Sequence, residues 1–463
     1  YVNAPVCCPS RAAIWSGRRG LHVNGAWNNH EGLPIDFNQT YMDLLAAGGY
    51  NTSINGKTDF FAGGHSMSAR AEAWLNRVPF PYTLSNHSYG WYDETGPVAK
   101  NVTGNETNHG DWASLRKLVT FIQGATKDPD APPFAGYVGF NIVHPPYVSS
   151  EYWLSRINDS RITIPEWEPI NDMHPEDFQS SMKKKMASDL CCTDFEKLNI
   201  RRHYYAMIAE FDAMVGTIVD AVKEAGVEEE TLFIVTSDHG DMNMEHRQFY
   251  KMVHFESSSR VPLIVSGPGV KQGITVDNVT SSLDFFPTMM DYAEVSTEGL
   301  VRCGVANVRP RCGGSGLLCM LFNPLPAVIS MFAGDNIRLP WYLLRKGDMK
   351  YVTYGTGTEV PPRLYNITAD PGERYDLASS QPAMVAEFDA ELRKEINYPS
   401  VSADVESYNK ASFSLWRKSL GDKFNETIQS SEFRFSESWK YDPEGCFEAI
   451  ETWLAAPNTS LVL

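Results

Sequence analysis

The sequence predicts an α/β fold: a mixed, mostly parallel sheet sandwiched by helices, with a smaller antiparallel α+β part at the C-terminal end. Three observations predict it. Apolar, β-forming runs alternate with segments of helical period: Trp112 to Gln123 precedes Phe134 to Val143, and His203 to Ala225 precedes Thr231 to Ser237. Polar residues stand just past the ends of the strand-like runs, at Lys57, His144, Asp238 and His239. In open α/β sheets, ligands bind beyond those carboxyl ends. Finally, the texture changes after about residue 336 to short alternating strands and turns, so the expected division is 1–330 and 331–463.

The elements follow in order. Pro5-Val6-Cys7-Cys8-Pro9-Ser10-Arg11 leads into an apolar helical turn, Ala12 to Trp15, closed by Ser16-Gly17. Ser10 is the expected cap of that helix and Pro9 part of its entry turn. Cys7 then faces a helix N-terminus, where backbone N–H groups and the dipole favour negative charge, with Arg11 one turn on. A buried thiol or a bridging cysteine reads equally well from this stretch alone. Tyr41 to Ala47 reads as a helix ended by Gly48-Gly49, and Tyr50 to Asn55 as a strand ending at Gly56-Lys57-Thr58-Asp59. Residues 60–112 are polar, aromatic and rich in sequons. Phe134 to Val143 has the look of a buried parallel strand and stops at His144-Pro145-Pro146; a long insertion fills 147–200. In His203 to Ala225, Met207, Phe211, Met214, Ile218 and Val222 recur at helical spacing and Gly226 caps the end. Thr231 to Ser237 ends at Asp238-His239-Gly240; Pro262 to Ser266 reads as another strand and Ser282 to Tyr292 as another helix. Residues 300–335 fit no element. Trp341 to Arg345, Lys350 to Tyr354 and Arg363 to Tyr365 read as antiparallel strands, Met384 to Ile396 as a helix, and the aromatic-rich tail as a segment packing back on the main part.

The chain has 463 residues and a net charge of −17. That balance argues against nucleic acid or an anionic membrane as a partner, so an anionic ligand has to be met by a local basic pocket. No apolar run reaches transmembrane length. The chain opens at Tyr1, without an initiator methionine or signal peptide, and reads as a piece lacking its N-terminus. Sequons begin at Asn38, Asn51, Asn86, Asn101, Asn105, Asn158, Asn278, Asn366, Asn425 and Asn458, the pattern of a secreted or lysosomal glycoprotein. Eight cysteines over this length do not make a disulfide scaffold.

Cys7-x-Pro9-Ser10-Arg11, the short helix and Gly17 resemble the signature of the sulfatase family, with Ser16 where that family usually carries Thr, Ala or Arg. The resemblance implies an alkaline-phosphatase-like fold and oxidation of Cys7 to formylglycine by the formylglycine-generating enzyme, with Cys8 the variable position. A hydrated formylglycine offers a gem-diol oxygen to sulfur, and its sulfate adduct can collapse back to the aldehyde; an unmodified thiol cannot. The resemblance further implies one calcium ion held by Asp238 and His239 beside residue 7, with two more carboxylates from a strand upstream of this chain. It makes Arg11, Lys57 and Lys251 the cations around formylglycine and sulfate, and His144 the histidine at the ester oxygen. Asp59 stands where many arylsulfatases carry His. Leu364-Tyr365 through Asp370-Pro371-Gly372-Glu373 resembles a segment of the family's small C-terminal domain.

Tyr1 to Gly17, His65 to Trp74, Asp238 to Met252, Ile396 to Pro399 and Tyr408 to Lys410 resemble one branch of that family more closely. This branch comprises lysosomal exo-sulfatases that remove the 2-sulfate of terminal glucuronate from glycosaminoglycans. On that resemblance His65, Arg70 and His246 are candidates for the sugar's carboxylate or hydroxyls. Arg70 and His246 read equally well as surface or packing residues. The expected partners are a sulfated glycosaminoglycan oligosaccharide or a small aryl sulfate. Two other readings remain: a phosphate- or phosphonate-ester hydrolase of the same superfamily, and a catalytically defective glycan-binding homologue.

Overall fold

The computed structural model describes residues 1–20, 27–34, 37–61, 66–75, 77–78, 80, 92–93, 96–97, 100–184, 186–189, 192–296, 327–334, 339–430, 439 and 441–458. Helix α1 (Cys7–Ser16) ends at Gly17, whose φ of 66° takes the left-handed conformation and whose N–H reaches the Ala13 carbonyl at 2.8 Å. Ser10 does not cap it. The helix begins three residues earlier, with Val6 at the cap position and no side-chain cap. Pro9 then lies within the first turn, where its missing N–H costs no intrahelical bond. Helix α2 (Tyr41–Ala47) carries a capping box between Thr40 and Asp43. It is followed by strand β1 (Asn51–Gly56).

Helix α3 (His109–Ala125) precedes strand β2 (Phe134–Gly139), which pairs with β1 in parallel, Asn51 opposite Phe134 and Gly56 opposite Gly139. The strand is shorter than the run that predicted it, and half-buried rather than buried. Its faces divide as a two-residue period requires. Phe134 and Val138 pack with Leu118 and Ile122 of α3 and with Val222 of helix α4 (Asp194–Glu224). Ala135 and Tyr137 pack with Trp15, Tyr41 and Leu45 on the other side. The pair is thus sandwiched by helices.

Strands β3 (Phe233–Thr236) and β4 (Leu263–Ser266) run antiparallel, Phe233 opposite Ser266, while β1 and β2 run parallel. No crossover helix carries the chain back between them. It leaves β3, folds the site loop, and returns at the same end, where the Gly240 N–H meets the Ser258 carbonyl at 2.9 Å. Helix α5 (Phe285–Tyr292) then packs beside α1 and α2.

The C-terminal part is a four-stranded antiparallel sheet of β5 (Val328–Phe332), β6 (Trp341–Lys346), β7 (Met349–Tyr354) and β8 (Arg363–Asn366), in the order β8-β7-β6-β5. Strand β5 lies in the stretch that fitted no element and spans residue 330; residues 297–326 are outside the described set. One face of the sheet, with Tyr342, Leu344 and Tyr351, takes helices α6 (Pro382–Glu395) and α7 (Tyr398–Leu420) through Phe388, Leu392 and Tyr398. The other face, with Trp341, Leu343 and Val352, joins the main core beside Phe249 and Tyr250. Lys350 of β7 is fully buried between Glu256 at 3.0 Å and Glu373 at 2.7 Å, tying this sheet to the segment that follows the site loop. The tail packs Phe413, Trp416 and Trp453 against Trp74 and Leu75.

Candidate active site

The site forms where β1, β2 and β3 end. Gly56 has φ of 72°, and a β-carbon there would stand 2.1 Å from the Gly139 carbonyl oxygen, so only glycine lets the two strand ends approach this closely. The approach puts the Lys57 N–H on the Gly139 carbonyl at 2.7 Å. Helix α1 brings Cys7 and Arg11 to the same place, because residues four apart share a helix face.

Cys7 is 5 % exposed. Its sulfur lies 2.8 Å from Lys251 Nζ, 3.4 Å from Lys57 Nζ and 3.4 Å from His239 Nε2. Burial pushes the thiol up, but Lys251 and His239 outweigh burial and hold it down, to about 5. The pocket therefore favours an anion at residue 7. Cys8, by contrast, is pushed well up by burial, and its sulfur accepts the His30 N–H. The Arg11 guanidinium is committed: Nε to Asp238 Oδ2 at 2.8 Å, and Nη1 to the Tyr137 hydroxyl at 2.6 Å and the Lys57 carbonyl at 3.1 Å. Burial works against the Asp238 carboxylate, yet Arg11 holds it well below the usual range. Lys57 is raised despite its burial, chiefly by Cys7, and also meets Asp59 at 3.3 Å.

Lys251, one of the cations the resemblance places around residue 7, has no exposed area. Its loop is held in an unusual backbone path. Asn243, Met244, His246, Arg247, Tyr250 and Met252 all have positive φ, which non-glycine residues adopt only where their surroundings enforce it. The enforcing contacts come from several places. Met252 N–H donates to the Pro5 carbonyl at 3.1 Å, Gln248 Nε2 to the Asp177 carbonyl at 2.9 Å, and Arg247 Nε to the Glu168 carbonyl at 2.8 Å. Trp167 Nε1 donates to the Met244 carbonyl at 2.6 Å and Arg201 Nη1 to the Asn243 carbonyl at 3.0 Å. The insertion over 147–200 is thus a brace for the Lys251 loop.

His144 reaches the cluster through Tyr250, whose hydroxyl bonds its Nε2, and whose ring carries the Lys251 ammonium 4.1 Å from its centroid. Burial, then Lys251 and Lys57, lower the imidazole to about 2, so it is neutral. The His144 turn is anchored by Asp111 of α3, whose buried carboxylate accepts the Asn141 N–H at 2.9 Å and the Ile142 N–H at 2.8 Å. Sequence reasoning missed Tyr137, Tyr250 and Asp111. Tyr137 had a signal: it lies two residues before Gly139, on the α1 side of β2.

Of three further candidates, two lie apart from this cluster. His246 stacks on Phe255 at 3.9 Å and bonds the Gly372 carbonyl, with the ring lowered by burial to about 3. Arg70 pairs with Glu31 at 3.1 Å and lies over Trp74. His65 is outside the described residues.

One ligand atom each from Cys7, Asp238 and His239 lies within 4.8 Å of the others, a group able to hold a metal ion. Asp238 and His239 fit one side of such an ion. Among the described residues this group contributes a single carboxylate, short of the six to eight oxygens calcium takes. The His239 Nε2 atom also lies 2.7 Å from Lys251 Nζ, so an ion and the ammonium would share that atom.

Solved structures share this architecture. A protein in complex with its substrate D-glucosamine-2-N,6-O-disulfate aligns with a TM-score of 0.61 at 18 % identity, over 85 % of this chain and 89 % of that one. The phosphonate monoester hydrolase of Agrobacterium radiobacter aligns at 0.59 and 21 % identity, over 84 % and 86 %. The fold is that of the alkaline-phosphatase-like hydrolases. Within it, the sulfatase family model matches residues 1–295, and the chain belongs to the sulfatase family: it is a sulfuric ester hydrolase. The Arylsulfatase K of Gallus gallus is 37 % identical, covering 98 % of this chain and 85 % of the relative. That of Danio rerio is 38 % identical, over 98 % and 86 %. No helix among the described residues is long and apolar enough to cross a membrane.

Proposed function

We propose that the chain is an exo-sulfatase that removes the 2-sulfate from terminal glucuronate, or a related uronate, of glycosaminoglycans, and that its nucleophile is a formylglycine made from Cys7. One observation carries the nucleophile: the Cys7 sulfur is the point on which Lys57, Lys251 and His239 converge, and it stands where the aldehyde hydrate would stand. The relatives named Arylsulfatase K support the sulfatase chemistry; the uronate substrate rests on the resemblance carried by Tyr1 to Gly17, His65 to Trp74 and Asp238 to Met252. A neighbour described as a 2-O GAG sulfatase shares the fold at a TM-score of 0.55 and 22 % identity, covering 85 % of this chain and 82 % of that one.

The residues divide the work. Lys57 and Lys251 bind the sulfuryl oxygens and offset charge that grows as the S–O bond breaks. Arg11, engaged through Nε and Nη1, fixes Asp238 and the Lys57 backbone. His144 faces the ester oxygen. When formed, the aldehyde at residue 7 supplies, as its hydrate, an oxygen nucleophile that can later release sulfate. Asp238 and His239 would hold a calcium ion against residue 7, its other oxygens coming from water or from groups outside the described residues. The sequons support a glycoprotein of the secretory pathway or lysosome, matured by the formylglycine-generating enzyme. Eight of the nine described sequon asparagines are exposed, and Asn366 is half-buried.

Two measurements test the reading on protein from a eukaryotic secretory host. Mass spectrometry of the peptide spanning Cys7 should show thiol-to-aldehyde conversion; active enzyme carrying only unmodified cysteine would sink the nucleophile. Cys7→Ala should abolish 2-sulfate release from a glucuronate-terminated oligosaccharide while Cys8→Ala retains part of it. Turnover of phosphate esters in preference to sulfate esters would favour the phosphohydrolase reading instead.

A further inference from the structure

His246 has no role in the division of work above, and neither has the Asp370-Pro371-Gly372-Glu373 stretch. The structure brings the two together. Lys251 lies midway along the segment from Glu245 to Glu256. The two ends of that segment meet, because the His246 ring stacks on Phe255 with centroids 3.9 Å apart at 8°. The loop is therefore closed at a neck, and its middle carries the Lys251 ammonium to the Cys7 sulfur.

Three consecutive residues beyond β8 hold this neck. The Gly372 carbonyl lies 2.8 Å from His246 Nε2. A carbonyl only accepts, so Nε2 is the donor. The Glu373 carboxylate accepts the Glu256 N–H at 2.6 Å. Arg374 Nη2 lies 3.6 Å from Glu245 Oε2, and its Nη1 donates to the Glu166 carbonyl. The His246 ring is 6 % exposed, with one face on Phe255 and Nε2 on Gly372. Inside the neck, His246, Arg247, Tyr250 and Met252 have positive φ, so local preference does not hold the loop in shape. Joining its ends removes conformations from the chain between them.

We propose that Gly372-Glu373-Arg374 is a clasp closing the Lys251 loop, and that His246 and Arg374 are positioning residues for Lys251 rather than contacts of the sugar. The C-terminal part thereby shares in the site without touching substrate. The role given to Lys251, and with it the effect on turnover, rests on the sulfatase reading.

Two substrates separate positioning from sugar binding. Lys251 meets the sulfuryl group, which every sulfate ester has, so a displaced Lys251 penalises all of them alike. A lost sugar contact penalises only the sugar substrate. His246→Phe keeps a ring to stack on Phe255 and loses the bond to Gly372. Its kcat/KM should fall about tenfold to a hundredfold on a uronate 2-sulfate, and by the same factor on 4-nitrophenyl sulfate. Arg374→Ala removes a longer, partly exposed ion pair and should lose about threefold to tenfold on both. Either variant combined with Lys251→Met should be no worse than Lys251→Met alone. A loss confined to the uronate, no loss on either substrate, or additive losses with Lys251→Met would each overturn the proposal. Hydrogen exchange followed by mass spectrometry reads the clasp without turnover. In both variants the peptide spanning 247–254 should exchange about threefold to tenfold faster than in the parent protein, the scale of one lost bond, with peptides of β6 and β7 unchanged. Unchanged exchange over 247–254, or equal acceleration in β6 and β7, would overturn it. If the parent protein turns over neither sulfate, the sulfatase reading has failed, and the exchange comparison still decides the clasp.

Discussion

Arg11→Ala is the substitution whose cost the structure defines most sharply. Arg11 and Asp238 meet at 2.8 Å with side chains only 9 % and 13 % exposed. Removing the guanidinium leaves a buried carboxylate without its main counter-charge, which costs about 3–5 kcal/mol. The Lys57 carbonyl keeps a donor, the Tyr137 hydroxyl at 3.1 Å, so little is added there. Arg11→Lys keeps the charge but cannot fork to Asp238, Lys57 and Tyr137 at once. At about 0.5–1.5 kcal/mol per lost bond it should cost about 1–3 kcal/mol. The assay is guanidinium unfolding followed by tryptophan fluorescence, with Trp15 buried in the same helix as reporter. Chelator is present so that no bound cation stands in for Arg11. The decisive comparison adds Asp238→Asn to Arg11→Ala. Neutralising the orphaned carboxylate should recover stability, so the double variant should be more stable than Arg11→Ala. A double variant less stable by the sum of its parts would refute the reasoning. Calcium added back should stabilise Arg11→Ala, by binding the native carboxylate, and should leave the double variant unmoved.

Lys251→Met should lower kcat/KM by about a hundredfold to a thousandfold, the scale of losing one charge-stabilising donor. In unconverted protein it should also raise the Cys7 thiol above about 5, read from thiolate absorbance against pH, since Lys251 is the leading cause of the depression. Asp111→Ala leaves the buried Ile142 N–H without its acceptor, about 1–3 kcal/mol, and also frees the Asn141 N–H. It should lower the melting temperature and also reduce kcat, because the turn it releases carries His144. Glu373 is raised by burial and then by Glu256, so the folded state holds its proton more tightly than the unfolded chain does. Its contribution is complete below an unfolded value of about 4.3 and is lost as pH rises above it. The melting temperature of the parent protein relative to Glu373→Gln should therefore fall from pH 4 to pH 7; a rise would contradict the assignment.

Much of the site was legible because its members announce themselves locally. Cys7 and Arg11 lie one helical turn apart, Lys57 follows a Gly at a strand end, and Asp238 ends an apolar run. What was not legible was pairing. Nothing in the sequence of Leu263–Ser266 says that it returns beside β3 antiparallel, because that direction is set by the loop between them and not by the strand. Val328–Phe332 was hidden by the Gly-, Cys- and Pro-rich stretch before it. Helix α7 was hidden by its aromatic residues, which read as a packing tail. Ser10 has the residue type of a cap, but the helix begins at Cys7, so cap chemistry lost to position. Tyr250 reaches His144 across 106 residues of sequence and Asp111 reaches the Asn141 N–H across 30. Spacing carries no trace of such partnerships.

The left-handed path of the Lys251 loop has a consequence for how this protein can be handled. Its conformation is imposed from Pro5 at one end of the chain and from Glu168, Asp177 and Arg201 in the middle, and the sheet behind it is pinned through Lys350. Local preference opposes that path at six residues. A nicked, truncated or half-refolded molecule that loses any one of these imposed constraints releases Lys251 from residue 7 before it loses its helices. Turnover is therefore a stricter gauge of intact protein than circular dichroism or solubility, and specific activity is the quantity to follow when preparations or variants are compared.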